Sequence, residues 1–439
     1  MNNQTLLNRS LNAVWHPCTQ MKQHEQIPLI PMTKGDGVWL YDAEGKRYLD
    51  AVSSWWVNLF GHNNLRIKTA IKQQLDTLEH VMLAGFTHEP VIALSEKLSQ
   101  LTGLGHAFYA SDGACATEIA LKMSFHYWRN TDKANKTKFI SLQNSYHGET
   151  LGALGVTDVA IFKDTYAPLL MQSAQMPSPD FRLAEAGETA EAFALRCADS
   201  LETYVSAYCH ELAAFIIEPL VQCAGGMGMY HPAYLQRARE ICTKYNVHLI
   251  ADEIAVGFGR TGTMFACEQG QVKPDFICLS KGITGGYLPL SVVLTTDKVY
   301  EAFYNDSVAK GFLHSHSYTG NPLACSAALA TLAIFDTDDI LQNNLEKSAD
   351  IQAKMQMFAD LPIQYVRTPG LQNAGMIFAF DVLTKNTQFS KQCYQAAMQQ
   401  GLLLRPIGHT VYLMPPYSIS EPEINFMINT TYEAVKSTI

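Results

Sequence analysis

Three residues that could take part in chemistry, Glu218, Asp252 and Lys281, each follow a short run of apolar residues. Taken singly each signal is weak, because most lysines are solvated surface charges and an Asp after a strand usually caps a helix or a turn. Lys281 differs, since an apolar run precedes it and Gly282 follows it directly. This setting favours a partly desolvated amine, which has a lowered pKa and can attack a carbonyl carbon.

The spacing of Asp252 and Lys281 suggests that they work as a pair. In open parallel sheets, functional residues gather beyond the carboxyl ends of the strands, so neighbouring strands would place the two side by side. A carboxylate that pairs with a pyridinium nitrogen keeps this nitrogen protonated, and the ring can then accept electrons from a carbanion. The pair therefore indicates amine and carbonyl chemistry on an electron-accepting ring.

The segment 109–118 runs from a predicted strand into a predicted helix and could hold an anion. Gly113 and Ala114 lie at the helix start, where free N–H groups and the helix dipole favour negative charge. An ordinary helix capped by Ser111 or Asp112 explains the segment about as well when it is considered alone.

Two further segments could complete a site for a phosphorylated ring. Tyr146, in the sequence Tyr146-His-Gly, offers an aromatic face that could stack on such a ring. A second glycine-containing helix start spans 317–322.

Short apolar runs alternate with helical patterns over most of the chain. This pattern predicts an α/β fold with a mainly parallel sheet flanked by helices. The strand-like runs are 106–110, 138–142, 212–218, 248–252 and 275–280, and the helical stretches are 90–101, 116–128 and 232–245. In front of them, residues 38–50 predict a hairpin of two short strands.

The pattern changes after Pro322, where two long helices are predicted over 322–335 and 339–361. Strand-like segments at 376–382 and 410–414, with a helix at 390–400 between them, indicate a smaller α+β domain. We expect an N-terminal segment of the small domain, a large cofactor-binding domain and a C-terminal small domain. Their predicted ranges are 1–62, 63–333 and 334–439.

The composition excludes several classes of protein. The formal net charge is −9 and no block of like charges stands out, so nucleic acid is not an expected partner. No apolar stretch is long enough to span a membrane, and the polar N-terminus does not predict a signal peptide. The ten cysteines include no CxxC pair, which favours free thiols and a cytoplasmic protein.

Motifs for other cofactors are missing or incomplete. No GxGxxG follows a predicted strand, no P-loop is complete and no HExxH occurs. His314 and His316 could suggest a metal site, but two histidines without further ligands favour pocket or core residues, and we expect no metal.

These residues in this order resemble the class III aminotransferases, which are fold type I pyridoxal-phosphate enzymes. The resemblance covers nearly the whole chain and is strongest over 249–262 followed by Lys281. It implies that Lys281 binds pyridoxal 5′-phosphate covalently and that Asp252 pairs with the pyridinium nitrogen. It also implies that Tyr146 covers the ring and that Glu218 lies nearby.

The same resemblance implies a shared phosphate site and an obligate homodimer. Gly113 and Ala114 would hold the phosphate, and Ser317 matches a Thr or Ser that completes this site from the other subunit. Ala114 stands where a Ser is common, but its backbone N–H remains, so we expect phosphate binding to survive.

Within the class, the chain most resembles the members that act in biotin synthesis. The stretches that carry this likeness are 15–21, 53–56, 311–322, 404–406 and 412–416. It implies amination of 8-amino-7-oxononanoate to 7,8-diaminononanoate, with S-adenosylmethionine as the usual amino donor and lysine in a related subgroup. The alternatives are another class III ω-aminotransferase, acting on acetylornithine, a β-amino acid or a diamine, and a non-catalytic binder of the same fold.

The acceptor of that reaction is an apolar chain that ends in a carboxylate. Trp55 and Trp56 offer flat apolar walls, although core packing is the simpler interpretation for at least one of them. Arg405 can bind the carboxylate with two hydrogen bonds, and the alternative for it is a surface ion pair. Together with Ser315, Tyr146 and Lys281, these residues form the predicted substrate-binding set. Cys18 stands where family members have a Tyr beside the substrate, which predicts a wider pocket without a hydroxyl.

Overall fold

The computed structural model describes residues 2–370 and 374–439. They form two compact units. The large unit comprises Arg66–Ala349 and Arg367–Ile377, and the small unit comprises Met1–Leu65, Asp350–Val366 and Phe378–Ile439.

Strands and helices alternate through most of the chain. The strands are β1 Met32–Asp36, β2 Trp39–Asp42, β3 Arg47–Asp50, β4 His106–Ala110, β5 Lys138–Leu142, β6 Ala174–Met176, β7 Leu212–Ile217, β8 Val221–Gln222, β9 Gly228–Met229, β10 His248–Asp252, β11 Phe276–Leu279, β12 Ser291–Thr295, β13 Ile363–Arg367, β14 Phe378–Val382, β15 Leu402–Leu403 and β16 Thr410–Leu413. The helices are α1 Asn3–Ala13, α2 Ser53–Trp56, α3 Leu65–Leu75, α4 Glu89–Thr102, α5 Gly113–Asn130, α6 Leu151–Val156, α7 Ala160–Lys163, α8 Ala190–Tyr208, α9 Ala233–Lys244, α10 Asp297–Glu301, α11 Pro322–Thr337, α12 Ile340–Met355, α13 Phe389–Gln399 and α14 Glu421–Lys436. Short 3-10 helices lie at Met21–Glu25, Asp164–Leu169, Phe181–Leu183, Ala266–Gly270, Lys281–Thr284, Val308–Lys310 and Gln356–Asp360.

The large unit is built on a seven-stranded sheet with the order β4-β12-β11-β10-β7-β5-β6. Strand β12 is antiparallel to both of its neighbours, and the other adjacent pairs are parallel. The carboxyl ends of β4, β11, β10, β7 and β5 therefore meet at one edge. The mainly parallel α/β fold that the sequence predicts is confirmed.

The central strands are buried over their whole length, as a sheet covered on both faces requires. Every residue of β7, β10, β11 and β12 is buried. Helix α5 packs against this sheet through apolar side chains, among them Ile119, Ala120 and Met123, which join residues of β7 and β10 in one core cluster. The near-continuous apolar runs of the sequence are thus explained by the sheet's interior position.

The small unit contains two further sheets. One has the order β1-β2-β3-β15 and the other the order β13-β14-β16. The predicted hairpin is the antiparallel pair β2–β3, and β15 pairs with β3 in parallel with Leu403 opposite Asp50. Two strands that are distant in sequence thus end at the same edge of this sheet.

Some elements differ from the prediction. The long helix predicted over 339–361 is α12, which ends at Met355 and continues as a 3-10 helix. Strand β12, which lies between β4 and β11, was not among the predicted runs.

The domain boundaries after residues 62 and 333 stay a prediction, and the ranges they define include residues 1 and 371–373, which lie outside the described part of the chain. Residues 334–349 belong to the large compact unit. There the Ser348 hydroxyl donates to the Gly375 carbonyl at 2.7 Å. None of the helices over residues 2–370 and 374–439 is both long and apolar enough to cross a membrane.

Candidate active site

Four of the predicted site residues lie at or beyond the carboxyl ends of four adjacent strands of the large sheet. Asp252 ends β10, and Lys281, Glu218 and Tyr146 come after β11, β7 and β5; the strands are neighbours in the order β11, β10, β7, β5. Asp252 lies opposite Cys278, so Lys281 follows only three residues beyond that pairing. The parallel arrangement brings these side chains to one edge of the sheet.

The carboxylate of Asp252 is buried and held in a fixed orientation. Its Oδ2 accepts a hydrogen bond from His147 Nδ1 at 2.7 Å, and its Oδ1 accepts one from the backbone N–H of Ile254 at 3.1 Å. Both side chains are almost wholly inaccessible to solvent. Asp252 is therefore a rigidly held carboxyl group that could pair with a ring N–H.

The sequence interpretation missed His147, although it is part of the Tyr146-His-Gly segment. A histidine in the short segment that follows a parallel strand, where site residues gather, is the signal that could have identified it. Within residues 2–370 and 374–439, the buried His147 Nε2 has no hydrogen-bond partner.

The side chain of Glu218 is also buried. Its carboxylate accepts hydrogen bonds from the backbone N–H groups of Tyr146 at 3.0 Å and Cys223 at 3.1 Å. The pKa of Glu218 is raised to about 7, chiefly by burial; His147 and the two backbone hydrogen bonds oppose this shift, and the nearby Asp252 carboxylate adds to it. Glu218 can thus hold or release a proton near neutral pH.

The side chain of Lys281 is placed by an unusual backbone conformation. Its φ angle is +44°, in the left-handed region that is unfavourable for a residue with a side chain. Burial lowers the pKa of the Lys281 ammonium, and Cys223, Asp252 and Glu218 only partly oppose this shift. The neutral, nucleophilic form of the Lys281 amine is therefore more easily populated than that of a surface lysine.

The start of α5 keeps two backbone donors outside the helical hydrogen-bond pattern. Asp112, and not Ser111, is the cap, and its carboxylate accepts from Cys115 N–H at 3.0 Å. The first backbone hydrogen bond of the helix runs from Ala116 N–H to Asp112 O. The N–H groups of Gly113 and Ala114 lie before it and take no part in the helical pattern. They fit an anion such as a phosphate.

Gly148 lets the loop after β5 approach this helix start closely. Its φ is +122°, and a Cβ there would lie 2.6 Å from the Cβ of Ala114. The loop that carries Tyr146 and His147 is thus packed directly against the predicted phosphate site.

Ser315 and Ser317 are exposed on the loop that precedes α11. This loop is tied to the end of β4, because the Thr319 hydroxyl donates to the Tyr109 carbonyl at 2.8 Å. His88 Nε2 donates to Gly320 O, also at 2.8 Å, and fixes the loop to the start of α4.

The two histidines of this loop each accept a hydrogen bond at Nδ1. His314 Nδ1 accepts from Lys122 Nζ at 2.8 Å, and His316 Nδ1 accepts from Tyr318 N–H at 3.2 Å. Among the residues that the structure describes, no three His, Cys, Asp or Glu side chains are grouped so that they could bind a metal.

The small unit brings two of the predicted substrate-binding residues together. The Arg405 guanidinium lies over the Trp55 ring, with Cζ 4.7 Å from the ring centroid. Trp55 is 43% exposed, whereas Trp56 is 5% exposed and donates from Nε1 to the Tyr412 hydroxyl at 3.2 Å. Trp56 is thus a core residue, and Trp55 offers a flat face beside a cation. Cys18 is exposed, with a φ of +51°.

The family model described as "Aminotransferase class-III" matches residues 19–435 of the chain. The adenosylmethionine-8-amino-7-oxononanoate aminotransferase of Helicobacter pylori is 46% identical over 419 residues, which cover 94% of each chain.

Two solved structures resemble the fold closely. The crystal structure of adenosylmethionine-8-amino-7-oxononanoate aminotransferase from Methanocaldococcus jannaschii is 34% identical, with a TM-score of 0.92 and full coverage of both chains. A PLP-bound amine transaminase from an uncultivated Pseudomonas species is 30% identical, with a TM-score of 0.91, and covers 97% of this chain and 99% of its own.

The raised pKa of Glu218 predicts a pH-dependent contribution to stability. In the unfolded chain Glu218 ionises near its ordinary pKa of 4.5, whereas in the folded protein it ionises only near 7. The folded state therefore favours the protonated acid, and this stabilisation is complete below about pH 4.5 and is lost as the pH rises through 7. We expect the melting temperature of the ligand-free protein, relative to that of Glu218→Gln, to fall between pH 5 and pH 8. A difference that stays constant with pH would show that Glu218 ionises in the folded protein as it does in water.

Proposed function

Because the chain belongs to the class III aminotransferases, we propose that it transfers amino groups with pyridoxal 5′-phosphate (PLP) as its cofactor. The observation that carries this proposal is the placement of Lys281 beside the buried Asp252 at the carboxyl edge of the sheet. Intact Lys281 and Asp252 argue against a non-catalytic binder of the same fold.

The residues at this edge fit PLP. Lys281 would hold the cofactor covalently, Asp252 would pair with the pyridinium nitrogen and Tyr146 would cover the ring. The free N–H groups of Gly113 and Ala114 would hold the phosphate. When bound, PLP supplies an electron sink for the carbanion and carries the amino group between two substrates.

The protein's own part in the reaction is to position groups and to move protons. The Nζ of Lys281 is the atom placed to take and return the proton, since burial favours its neutral form. His147 and the N–H of Ile254 hold the Asp252 carboxylate in one orientation. Glu218, with its raised pKa, limits the negative charge of this buried cluster.

We propose 8-amino-7-oxononanoate as the amino acceptor and 7,8-diaminononanoate as the product, which places the enzyme in biotin biosynthesis. The names of relatives that align over nearly the whole chain support this substrate. The pairing of Arg405 with Trp55 also supports it, since an apolar wall beside a guanidinium suits an apolar chain that ends in a carboxylate.

The amino donor that we propose is S-adenosylmethionine, as the relatives' names suggest. Lysine is the second candidate. Cys18 motivates it, because this position carries a small thiol and no aromatic hydroxyl.

We further propose a cytoplasmic homodimer with shared active sites. Ser317 supports the shared site, since it is exposed on a loop tied to the strand that precedes the predicted phosphate site. In this proposal Ser317 completes the phosphate site of the partner subunit, and Ser315 takes part in substrate binding.

A panel of amino donors with 8-amino-7-oxononanoate as acceptor tests donor and acceptor together. We expect product with S-adenosylmethionine, detected as 7,8-diaminononanoate by mass spectrometry. If product forms with lysine and not with S-adenosylmethionine, lysine is the donor and the proposed acceptor stands. If 8-amino-7-oxononanoate is not aminated with any donor while acetylornithine, a β-amino acid or a diamine reacts, the biotin-pathway assignment is wrong.

Replacement of Arg405 by Ala tests how the acceptor is recognised. Because the variant loses the guanidinium and its bidentate, charge-assisted hydrogen bonds, we expect the acceptor KM to rise by about 10–100-fold. Arg405→Lys, which keeps the charge but loses the planar fork, should lie between the wild type and Arg405→Ala. The donor KM should change much less, and equal changes in both KM values would contradict a carboxylate-binding role.

A further inference from the structure

The turn that carries Trp55 has a backbone conformation that L-amino acids rarely adopt. Ser53, Ser54, Trp55 and Trp56 have φ values of +50°, +47°, +71° and +73°. Four successive residues with side chains in the left-handed region are unfavourable, because each Cβ approaches the following carbonyl oxygen. Such a segment persists only where its surroundings fix it, and strained segments of this kind occur most often at functional sites.

One buried carboxylate, that of Asp50, binds Ser54 of this turn through both of its oxygens. Its Oδ1 accepts from the backbone N–H of Ser54 at 2.9 Å and lies 3.4 Å from that of Val52. Its Oδ2 accepts from the Ser54 hydroxyl at 2.7 Å. The Asp50 side chain has no exposed surface, so these bonds do not compete with water.

His62 fixes the carboxylate from the other side. Its Nε2 donates to Asp50 Oδ2 at 3.0 Å, and its Nδ1 accepts from Asn58 Nδ2 at 3.1 Å. The backbone of His62 is itself paired with Gly37. Gly35 leaves room for this ring, because a Cβ at Gly35 would lie 2.6 Å from the Cβ of His62.

The Asp50 carboxylate lies where two chain segments separate, one leading to Trp55 and the other to Arg405. Asp50 ends β3 and is paired with Leu403, the last residue of the parallel strand β15. Two residues beyond Leu403 lies Arg405, whose guanidinium covers the Trp55 ring. The orientation of the turn that Asp50 holds therefore determines whether Trp55 lies beneath the guanidinium.

We propose that the buried Asp50–His62 pair is a positioning device that holds the left-handed turn Ser53–Trp56 and thereby places Trp55 against Arg405 for the acceptor chain. This inference rests on the proposed function for the identity of the acceptor. The placement of Trp55 itself can be measured without any substrate.

The first measurement is ¹⁹F NMR of the holoenzyme labelled with fluorotryptophan. The chain has five tryptophans, and Trp55→Phe assigns one resonance. Asp50→Ala should shift or broaden the Trp55 resonance. Asp42→Ala is a matched control, since Asp42 is also buried in the same sheet but caps the β2–β3 hairpin through the N–H groups of Glu44 and Lys46. It should leave the Trp55 resonance unchanged.

The second measurement is a double-mutant cycle on the acceptor KM. We expect Asp50→Ala to raise this KM at least about tenfold, since a misplacement of about 1 Å can cost up to ~10²-fold. In a Trp55→Ala background the same change should alter the KM less than about twofold, because Asp50 then has no tryptophan to position. Asp50→Asn, which keeps an acceptor for Ser54 N–H, should restore most of the wild-type KM.

An Asp50→Ala protein that does not fold would be replaced by Ser54→Ala, which removes only the hydroxyl contact and should give a smaller effect in the same direction. An unchanged Trp55 resonance, or KM increases that simply multiply in the cycle, would overturn the inference. Absence of any activity on 8-amino-7-oxononanoate would instead refute the proposed acceptor, and the NMR result would still decide the role of Asp50.

Discussion

Desolvation of charged groups at the carboxyl edge of the large sheet is the constraint on which the rest of this site depends. Four adjacent parallel strands deliver Lys281, Asp252, Glu218 and Tyr146 to one edge. Burial there favours the neutral amine of Lys281 and the protonated acid of Glu218. Asp252 keeps its orientation because His147 and the Ile254 N–H bind both of its oxygens. A buried amine with a lowered pKa, a carboxyl group in a fixed orientation and an acid with a raised pKa thus follow from one arrangement of strands.

In the small unit, too, the ends of parallel strands bring residues together. A parallel pair, β3 and β15, ends with Asp50 beside Leu403, and the chain then continues on one side to Trp55 and on the other to Arg405. Here the buried carboxylate stabilises a strained turn, whereas in the large unit buried groups adjust the protonation of a lysine. In both units, parallel strands place residues that are far apart in sequence within reach of each other.

Much of this arrangement could be predicted from the sequence, and the omissions have physical causes. The buried strands are near-continuous apolar runs, so β7, β10 and β11 and the residues after them were predictable. The role of Asp112 as cap could not be separated from that of Ser111, because both residue types cap helices. His147 escaped prediction because its partner Asp252 is distant in sequence. The Asp50–His62 pair spans only a short stretch of chain, but the pairing depends on the fold of the turn between the two residues and not on a local motif. The left-handed turn at Ser53–Trp56 has no sequence signal of the usual kind, since it contains no glycine.

The central claim is that Lys281 is the residue that binds PLP, and borohydride reduction of the purified holoenzyme followed by peptide mass spectrometry tests it most directly. Reduction makes the lysine–cofactor bond permanent, and we expect the added mass on the peptide that contains Lys281, and its loss in Lys281→Ala. Lys136 provides an internal control, because burial lowers its pKa to about 8 while its Nζ donates to backbone carbonyls, one of them that of Leu212. The added mass on Lys136, or on no lysine at all, would show that Lys281 does not bind the cofactor.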